Sequence, residues 1–161
     1  MKCSNCGKTA KVVRGDYHLE ELEIPVRLIG IELIKCSHCG NVDPVIPNLD
    51  GLMHVLALKV TSKLSLLDGG EVRFLRKYIG KSAREFARLL HVDHTHLSKI
   101  ENGRLKIGAE LDKLVRFVVV GSSPELGAII KEELVKLLPA IEDVRKRQAE
   151  IEIDPAELQA A

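Results

Sequence analysis

Three observations predict an α+β fold with a small β unit at the N-terminus and helices after it. Four cysteines stand in two pairs, within the stretches CSNCG and CSHCG. The segments between the pairs are rich in β-branched residues, which favour strands. From residue 68 onward, apolar residues recur three and four positions apart, the spacing of a helix that buries one face. The 161 residues suffice for one compact domain or two small ones.

Charge is distributed unevenly along the chain. In total, 24 basic and 23 acidic side chains give +1. Residues 70–116 hold 11 Lys/Arg and 6 Asp/Glu, a balance of +5, whereas residues 122–161 hold 5 and 9, a balance of −4. A basic middle beside an acidic tail indicates a polyanion-binding module joined to a segment with another role. Aromatic residues make up only 3%, which argues against stacking on single-stranded bases as the main binding mode.

The N-terminus lacks a secretory pattern. It begins Met1-Lys2-Cys3 without an apolar signal region, and no apolar run approaches the length of a membrane span. We therefore expect a cytoplasmic protein whose cysteines are in a reducing compartment.

The paired cysteines predict one structural Zn²⁺ per chain. Two residues between the members of each pair let both thiolates face one ion, and four thiolates close a tetrahedral site with no position left for catalysis. The alternatives are two disulfides or a redox pair, which the reducing compartment disfavours. The predicted ligands are Cys3, Cys6, Cys36 and Cys39.

The 29 residues between the cysteine pairs are expected to form the strands of a zinc ribbon. The stretches AKVVRG, ELEIPVRL and GIELIKC can supply these strands. Zinc would contribute folding energy to a segment too small to bury a sufficient core. We predict that His18 and His38 are not ligands, because the cysteines already fill the site.

We place the ribbon at residues 1–47 because the Pro- and Gly-marked PVIPNLDG ends it. Residues 48–67 follow as a linker or helical segment, in which LMHVLALKVTSKLSLL fits either an apolar helix or an extended segment. His54 within it is expected to be a packed or exposed residue of a helix rather than a ligand. The ribbon and the helical part are expected to have separate cores.

Helical signals recur over residues 68–120. The stretch DGGEVRFLRKYIG has Asp68 as N-cap and Glu71 three residues later, the pattern of a capping box. SAREFARLL begins a second helix at Ser82. HTHLSKIEN is a third and ends at Gly103, where a left-handed conformation carries no steric penalty, and AELDKLVRFVVV is a fourth. The predicted inward residues are Val72, Leu75, Ile79, Phe86, Ala87, Leu90, Leu97, Ile100, Leu111, Leu114 and Val115.

The second and third of these helices form a helix-turn-helix pattern. They are short, a tight turn joins them, and the small Ala87 stands where they would cross. In that arrangement the later helix lies in the DNA major groove, so Thr95 and Lys99 would contact bases, flanked by His94 and His96. The residues expected at phosphates are Arg84, Arg88, Arg104 and Lys106. The alternative is a helical bundle with a solvated basic face.

Residues 121–161 are expected to form an extra C-terminal helix and an acidic tail. Ser123 would cap the helix, Pro124 would be its first residue, and Pro139 would kink or end it. An apolar stripe along it would either pack on the helix-turn-helix core or mediate dimerisation. We expect the last dozen residues to be frayed or ordered by a partner. The stripe consists of Leu126, Ile129, Ile130, Leu134, Leu137 and Leu138.

Residues 68–117 resemble the Cro/CI-type (XRE) helix-turn-helix domain through SAREFARLLHVDHTHLSKIENG, above all through LSKIENG. Together with CSNCG and IPVRLIGIELIKCSHCGN, the layout of residues 1–120 resembles the MqsA/YgiT-type antitoxin-like family, a zinc ribbon followed by an XRE domain. The resemblance implies a dimer that represses its own operon, and many relatives are antitoxins whose ribbon binds a ribonuclease toxin. By position in the motif, Thr95 and Lys99 match the family's base-contacting residues.

The chain departs from the family pattern in three places. His91 stands in the turn where the family often has glycine, and histidine tolerates a positive φ at some cost. Ala83 stands where many such domains have a phosphate-binding glutamine, so Arg84 would take over that contact. The C-terminal segment exceeds what compact antitoxins need.

These patterns favour a sequence-specific DNA-binding transcriptional regulator, the antitoxin of a type II toxin–antitoxin pair. The alternative is a zinc-ribbon protein-interaction module, or a stand-alone transcription factor with no toxin partner. An enzyme is not expected, because the sequence shows no nucleophile–base constellation, phosphate loop or open metal site. One recognition helix reads few base pairs, so we expect a homodimer on a palindromic operator in double-stranded DNA, joined through residues 52–67 and 126–138.

Overall fold

An antiparallel sheet near the N-terminus is followed by helices, which confirms the predicted α+β class. The computed structural model describes residues 1–141 and 150–160. The strands in those ranges are β1 (Lys11–Leu19), β2 (Val26–Lys35), β3 (Val42–Pro44) and β4 (Ile151–Ile153). The helices are α1 (Leu49–Ser62), α2 (Gly69–Tyr78), α3 (Ala83–Leu89), α4 (His94–Glu101), α5 (Ala109–Ser122), α6 (Pro124–Leu137) and α7 (Pro155–Ala160).

The sheet is built around β2. β1 runs antiparallel to it, from the pair Lys11 and Lys35 to the pair Leu19 and Val26, with a bulge after Gly15. β3 pairs antiparallel with one end of β2 on its other edge. The two stretches ELEIPVRL and GIELIKC, predicted as separate strands, therefore contribute to one long strand.

The C-terminal segment returns to the sheet. β4 pairs parallel with β2 at Val26–Leu28, and the side chain of Ile153 is buried in the core. The expectation that the last dozen residues are frayed or ordered by a partner is therefore wrong for Ile151–Ile153, because backbone pairing and burial hold this strand. Residues 142–149 of the predicted acidic tail lie outside the described residues.

One apolar core joins the sheet to the helices. The inner face of β2 contributes Val26, Leu28 and Leu33 to it, and α1 contributes Leu52 and Leu56. The expectation of separate cores is therefore wrong, because β2 and the helices bury their apolar faces against each other. Of residues 52–67, for which a helix and an extended segment were both possible, residues 52–62 belong to α1, which is part of this core.

Most of the predicted inward positions are buried, and α5 is the exception. Leu114 is 37% exposed, whereas Asp112 and Arg116 are completely buried. The Arg116 guanidinium donates to the backbone carbonyls of Thr61 and Ser65, each at 2.8 Å, and its Nε donates to the Asp112 carboxylate at 2.8 Å. The orientation of α5 thus follows from carbonyl groups at and just after the end of α1 that need donors, and the apolar pattern alone misplaced Leu114.

The stripe on α6 is largely used inside the chain. Leu126, Ile130 and Leu134 are buried, and Ile130 and Leu134 pack with Val120 of α5 and Leu58 of α1. The predicted dimer surfaces at 52–67 and 126–138 therefore face each other or the core for most of their apolar residues. Exposed apolar side chains in this region include Ile129, Val135 and Phe117.

The predicted helix signals are confirmed. Asp68 and Ser82 cap α2 and α3 with complete capping boxes, and Ser123 caps α6 with proline in its first turn. α6 ends at Leu137, before Pro139. Gly103 takes the left-handed conformation after α4, with φ at 69°. Among the described residues, each helix is too short or too polar to cross a membrane.

Candidate metal centre and nucleic-acid interface

The structure brings the four predicted cysteine ligands together. The Sγ atoms of Cys3 and Cys39 are 3.6 Å apart, as are those of Cys6 and Cys36, and all four lie within 4.8 Å of one another. The cysteines are free thiols rather than disulfides. Sulfurs around a tetrahedral Zn²⁺ with Zn–S bonds of about 2.3 Å are about 3.8 Å apart. The cluster can therefore hold one structural metal ion, as a zinc ribbon requires.

Both cysteine pairs lie in turns of the same geometry. Gly7 donates its backbone N–H to the Cys3 carbonyl and Gly40 donates to the Cys36 carbonyl, each at 3.0 Å. Both glycines have positive φ, 71° and 76°, which glycine adopts without steric cost. The repeated turn explains why each pair is followed by glycine.

The nearby histidines do not belong to the sulfur cluster. His38 contacts the Lys8 ammonium through Nε2 at 2.8 Å, and Nδ1 of His18 contacts the Glu150 carboxylate at 2.9 Å. His54, the third histidine with no expected metal role, contacts the Tyr78 hydroxyl. Among the described residues, the cluster of possible metal ligands consists of the four cysteines.

The thiols of Cys6 and Cys36 differ in acidity. Backbone N–H groups of Cys39 and His38 lower the pKa of Cys36 to about 6. The pKa of Cys6 is raised to about 12: the backbone N–H of Lys8 lowers it, but burial and the neighbouring sulfurs raise it by more. Closely packed thiols resist sharing several negative charges, and a divalent cation at the centre of the cluster would remove that repulsion.

The helix pair α3–α4 is joined by a tight turn. His91 has a φ of 51°, so it occupies the left-handed position at which glycine was expected from the resemblance. Asp93 then caps α4, because one carboxylate oxygen accepts from the backbone N–H of Thr95 at 2.8 Å and of His96 at 3.3 Å. These N–H groups, the Thr95 N–H first, lower the pKa of Asp93.

One side of the pair is buried and the other faces solvent. Leu97 and Ile100 of α4 pack in the core with Phe86 and Ala87 of α3. The eight predicted DNA-contacting side chains are all exposed: Arg84, Arg88, His94, Thr95, His96, Lys99, Arg104 and Lys106. The five Lys and Arg residues in this set form no ion pair within the part of the chain that the structure describes.

Sequence reasoning missed a buried carboxylate at the end of α4. The Glu101 carboxylate receives two charge-assisted hydrogen bonds from Arg76 of α2, at 2.7 and 3.0 Å. Arg73 of α2 also donates to the Asn102 side chain at 2.6 Å. Helical spacing could have predicted this burial. Glu101 is four residues after Leu97 and therefore lies on the inward face of α4. A buried charge on that face needs a partner.

We compared the chain with protein-family models, with curated proteins and with solved structures, and none of the three comparisons found a match.

Proposed function

We propose that the protein is a sequence-specific DNA-binding transcriptional regulator that represses its own operon. The observation that carries this proposal is the two-sided character of α4, whose apolar side lies in the core while Thr95, His96 and Lys99 face solvent. Eight residues of α-helix are about 12 Å long, similar to the width of the major groove. Five exposed Lys and Arg side chains on and around it supply charge for phosphates.

The Arg76–Glu101 pair also supports this function. A helix that reads bases must be held within a fraction of an ångström, because hydrogen bonds to base edges depend on distance and direction. Arg76 and Arg73 attach the C-terminal end of α4 to α2, and Asp93 caps the N-terminal end. The helix is therefore held at both ends while its polar side is left open.

We propose that the four cysteines bind one Zn²⁺ with a structural role. Four thiolates leave no open coordination position, and the chain needs the ion to hold two short turns together. We further propose that the biological setting is a type II toxin–antitoxin pair, on the strength of the resemblance to MqsA/YgiT-type antitoxins. The ribbon would then bind the toxin.

A homodimer on a palindromic operator is part of the same proposal. Two recognition helices about 34 Å apart double the base pairs that are read. Because the buried stripes of α1 and α6 are largely unavailable, we propose that the exposed residues Phe117 and Val135 contribute to an apolar contact surface outside the ribbon.

Binding to the chain's own upstream DNA, compared with scrambled DNA of equal length, tests this function. Thr95→Ala or Lys99→Ala should cost about 1–3 kcal/mol on the upstream site and much less on scrambled DNA. Arg104→Ala should weaken both similarly and reduce the salt dependence by about one unit. Lys136→Ala, which removes an exposed charge from α6, is the matched control and should change neither.

Two results would overturn the proposal. One is equal affinity for the upstream and scrambled DNA in the unmodified protein, which would leave only nonspecific binding. The other is loss of binding in Lys136→Ala as large as in Lys99→Ala, which would show that total charge rather than α4 governs the interaction.

A second candidate function is supported by β1. Among the described residues this strand pairs only with β2, so its other edge is open, and Val12 and Val13 are both exposed. An open edge can accept a strand from another protein. Copurification with the product of a neighbouring gene tests this role. Loss of that partner in Val13→Lys, with DNA binding intact, would favour an interaction module that acts separately from α4.

A further inference from the structure

A groove of about 850 Å³ lies between the start of α1, the end of α2 and the corner that joins α5 to α6. Its volume falls within the usual range for small-molecule sites. Its lining includes none of the four cysteines and none of the proposed DNA-contacting residues, so neither site uses it.

A directed chain of hydrogen bonds runs along one wall of the groove. It connects His54 Nδ1 to the Tyr78 hydroxyl at 3.1 Å, Tyr78 to the Ser123 hydroxyl at 3.4 Å, and Ser123 to the Glu125 carboxylate at 3.1 Å. Because a carboxylate only accepts, the Ser123 hydroxyl must donate to Glu125. The Ser123 oxygen is then free to accept from Tyr78.

The same logic determines the tautomer of His54. Once the Tyr78 hydroxyl donates to Ser123, its oxygen accepts, so His54 Nδ1 must carry the proton. In the neutral imidazole the other nitrogen, Nε2, is then a hydrogen-bond acceptor. The three hydrogen bonds therefore all run in one direction, from His54 to Glu125. Nε2 of His54 remains available to accept a further hydrogen bond.

The charged groups that line the groove differ in whether they form an ion pair. The Lys77 ammonium is paired with Glu23. The exposed Asp50 and Glu125 carboxylates have no ion pair within residues 1–141 and 150–160. The N-terminus of α6 favours negative charge, and Glu125 in its first turn already supplies it. The lining therefore offers mostly acceptors and a net negative charge.

The apolar part of the lining comes from Met53, Ile79, Pro124, Ala128 and Ile129. We propose that this groove is a binding site for a small organic cation that joins a protonated amine to a compact apolar body. The amine would lie at Asp50, Glu125 and His54 Nε2, and the apolar body would cover the side chains of Met53, Ile79 and Ile129. This inference does not depend on the proposed DNA binding.

Titration of full-length, metal-containing protein with phenethylammonium tests the proposal without DNA. We expect saturable binding of one equivalent with a dissociation constant of roughly 1 mM or below, which a ligand of this size can reach. Amide chemical-shift changes should cluster at the groove residues. The anion 3-phenylpropionate, which has the same ring and nearly the same length, should bind at least about tenfold more weakly because the carboxylates repel it.

Variants then test whether the two groove carboxylates, rather than the overall charge of the protein, determine binding of the cation. The double change Asp50→Asn and Glu125→Gln should weaken phenethylammonium binding about tenfold or more, whereas Glu132→Gln, on the exposed side of α6, should not. Equal binding of the cation and the anion would overturn the proposal, as would full binding by the double variant or shift changes away from the groove.

A measurement on the unmodified protein remains decisive if the double variant does not fold. The imidazole ¹⁵N spectrum of His54 should show the proton on Nδ1, and Tyr78→Phe should shift the tautomer equilibrium towards Nε2 because the acceptor is lost. A proton on Nε2 in the unmodified protein would mean that His54 Nδ1 accepts rather than donates. Nε2 would then be a donor facing the groove, which would overturn the proposed class of ligand.

Discussion

Arg76 and Glu101 form a two-pronged ion pair that attaches α2 to the C-terminal end of α4. Nε of Arg76 is 2.7 Å from one carboxylate oxygen, and Nη2 is 3.0 Å from the other. Only 4% of the Glu101 side chain and 12% of the Arg76 side chain are exposed. The next residue, Lys77, pairs with Glu23 but is 57% exposed. One helix thus carries a buried and an exposed ion pair in consecutive positions.

This contrast predicts different costs for two neighbouring substitutions. Arg76→Met should lower the free energy of unfolding by about 3–5 kcal/mol, because it leaves the Glu101 carboxylate buried without its main partner. Lys77→Met should change it by no more than about 1 kcal/mol, because water screens an exposed pair. Urea denaturation of the two variants measures both. Similar losses would mean that Glu101 finds water or Arg73 as a substitute partner.

A second prediction concerns the close approach of α2 to α4. A Cβ atom on Gly69 would lie 2.1 Å from the Ile100 carbonyl oxygen, a backbone atom that cannot move without shifting α4. Gly69→Ala should therefore destabilise the protein and weaken binding to the upstream DNA together. Gly121→Ala is the matched control, because its Cβ would meet nothing within 4 Å. It should stabilise α5 by about 0.5–1 kcal/mol. Thermal unfolding of both variants gives the comparison, and an unchanged Gly69→Ala would contradict the packing described.

The cap of α4 should depend on pH. Hydrogen bonds from the Thr95 N–H and its neighbours hold the pKa of Asp93 below its usual value of 3.8. A lowered folded-state pKa contributes stability above the unfolded-state pKa, and this contribution is lost as pH falls through the folded-state value. Asp93→Asn keeps the capping oxygen without the charge. The difference in melting temperature between the two proteins should be constant from pH 7 to about pH 5 and shrink below about pH 4. A difference that does not shrink at all between pH 5 and pH 3 would assign the effect to shape rather than charge.

Metal content and local order provide a further prediction. Purified protein should contain one zinc per chain, and Cys36→Ser should reduce zinc binding sharply. Cys3 and Cys36 belong to a small apolar cluster with Ala10, separate from the main core. Zinc removal should therefore speed amide exchange in residues 1–10 and 36–41 while leaving the protection of α1 and α2 largely intact. Protein without zinc and with disulfide-linked Cys3 and Cys6 would contradict the assignment.

The elements that sequence reasoning predicted well are those determined locally. Asp68 and Ser82 cap the helices that follow them, and Gly103 adopts a positive φ, because each feature involves only a few neighbouring residues. The cysteine spacing likewise predicted that four thiols would meet. Whether they bind zinc, and whether α4 binds DNA, stay predictions.

The features that were missed depend on contacts between distant residues. Arg116 reaches carbonyls more than 50 residues earlier in the chain, and β4 pairs with a strand more than 120 residues before it. The local sequence patterns VRFVVV and IEI do not predict those partners. The cavity wall has the same character, because His54, Tyr78 and Ser123 belong to three different helices or their caps. Such contacts follow from topology, which local periodicity does not determine.

Arg116 limits how this chain can be divided. Its guanidinium bonds to the backbone of Thr61, Lys63 and Ser65, and its partner Asp112 accepts from the Leu67 N–H. A fragment that begins at residue 68 would lack these partners and would expose the apolar side chains that pack against α1 and β2. Residues 68–117 should therefore be insoluble or unstable when separated at the boundary that their sequence resemblance suggests. Transplanting this segment onto another protein, or exchanging it between relatives, would have to carry the seven residues from Thr61 to Leu67 along.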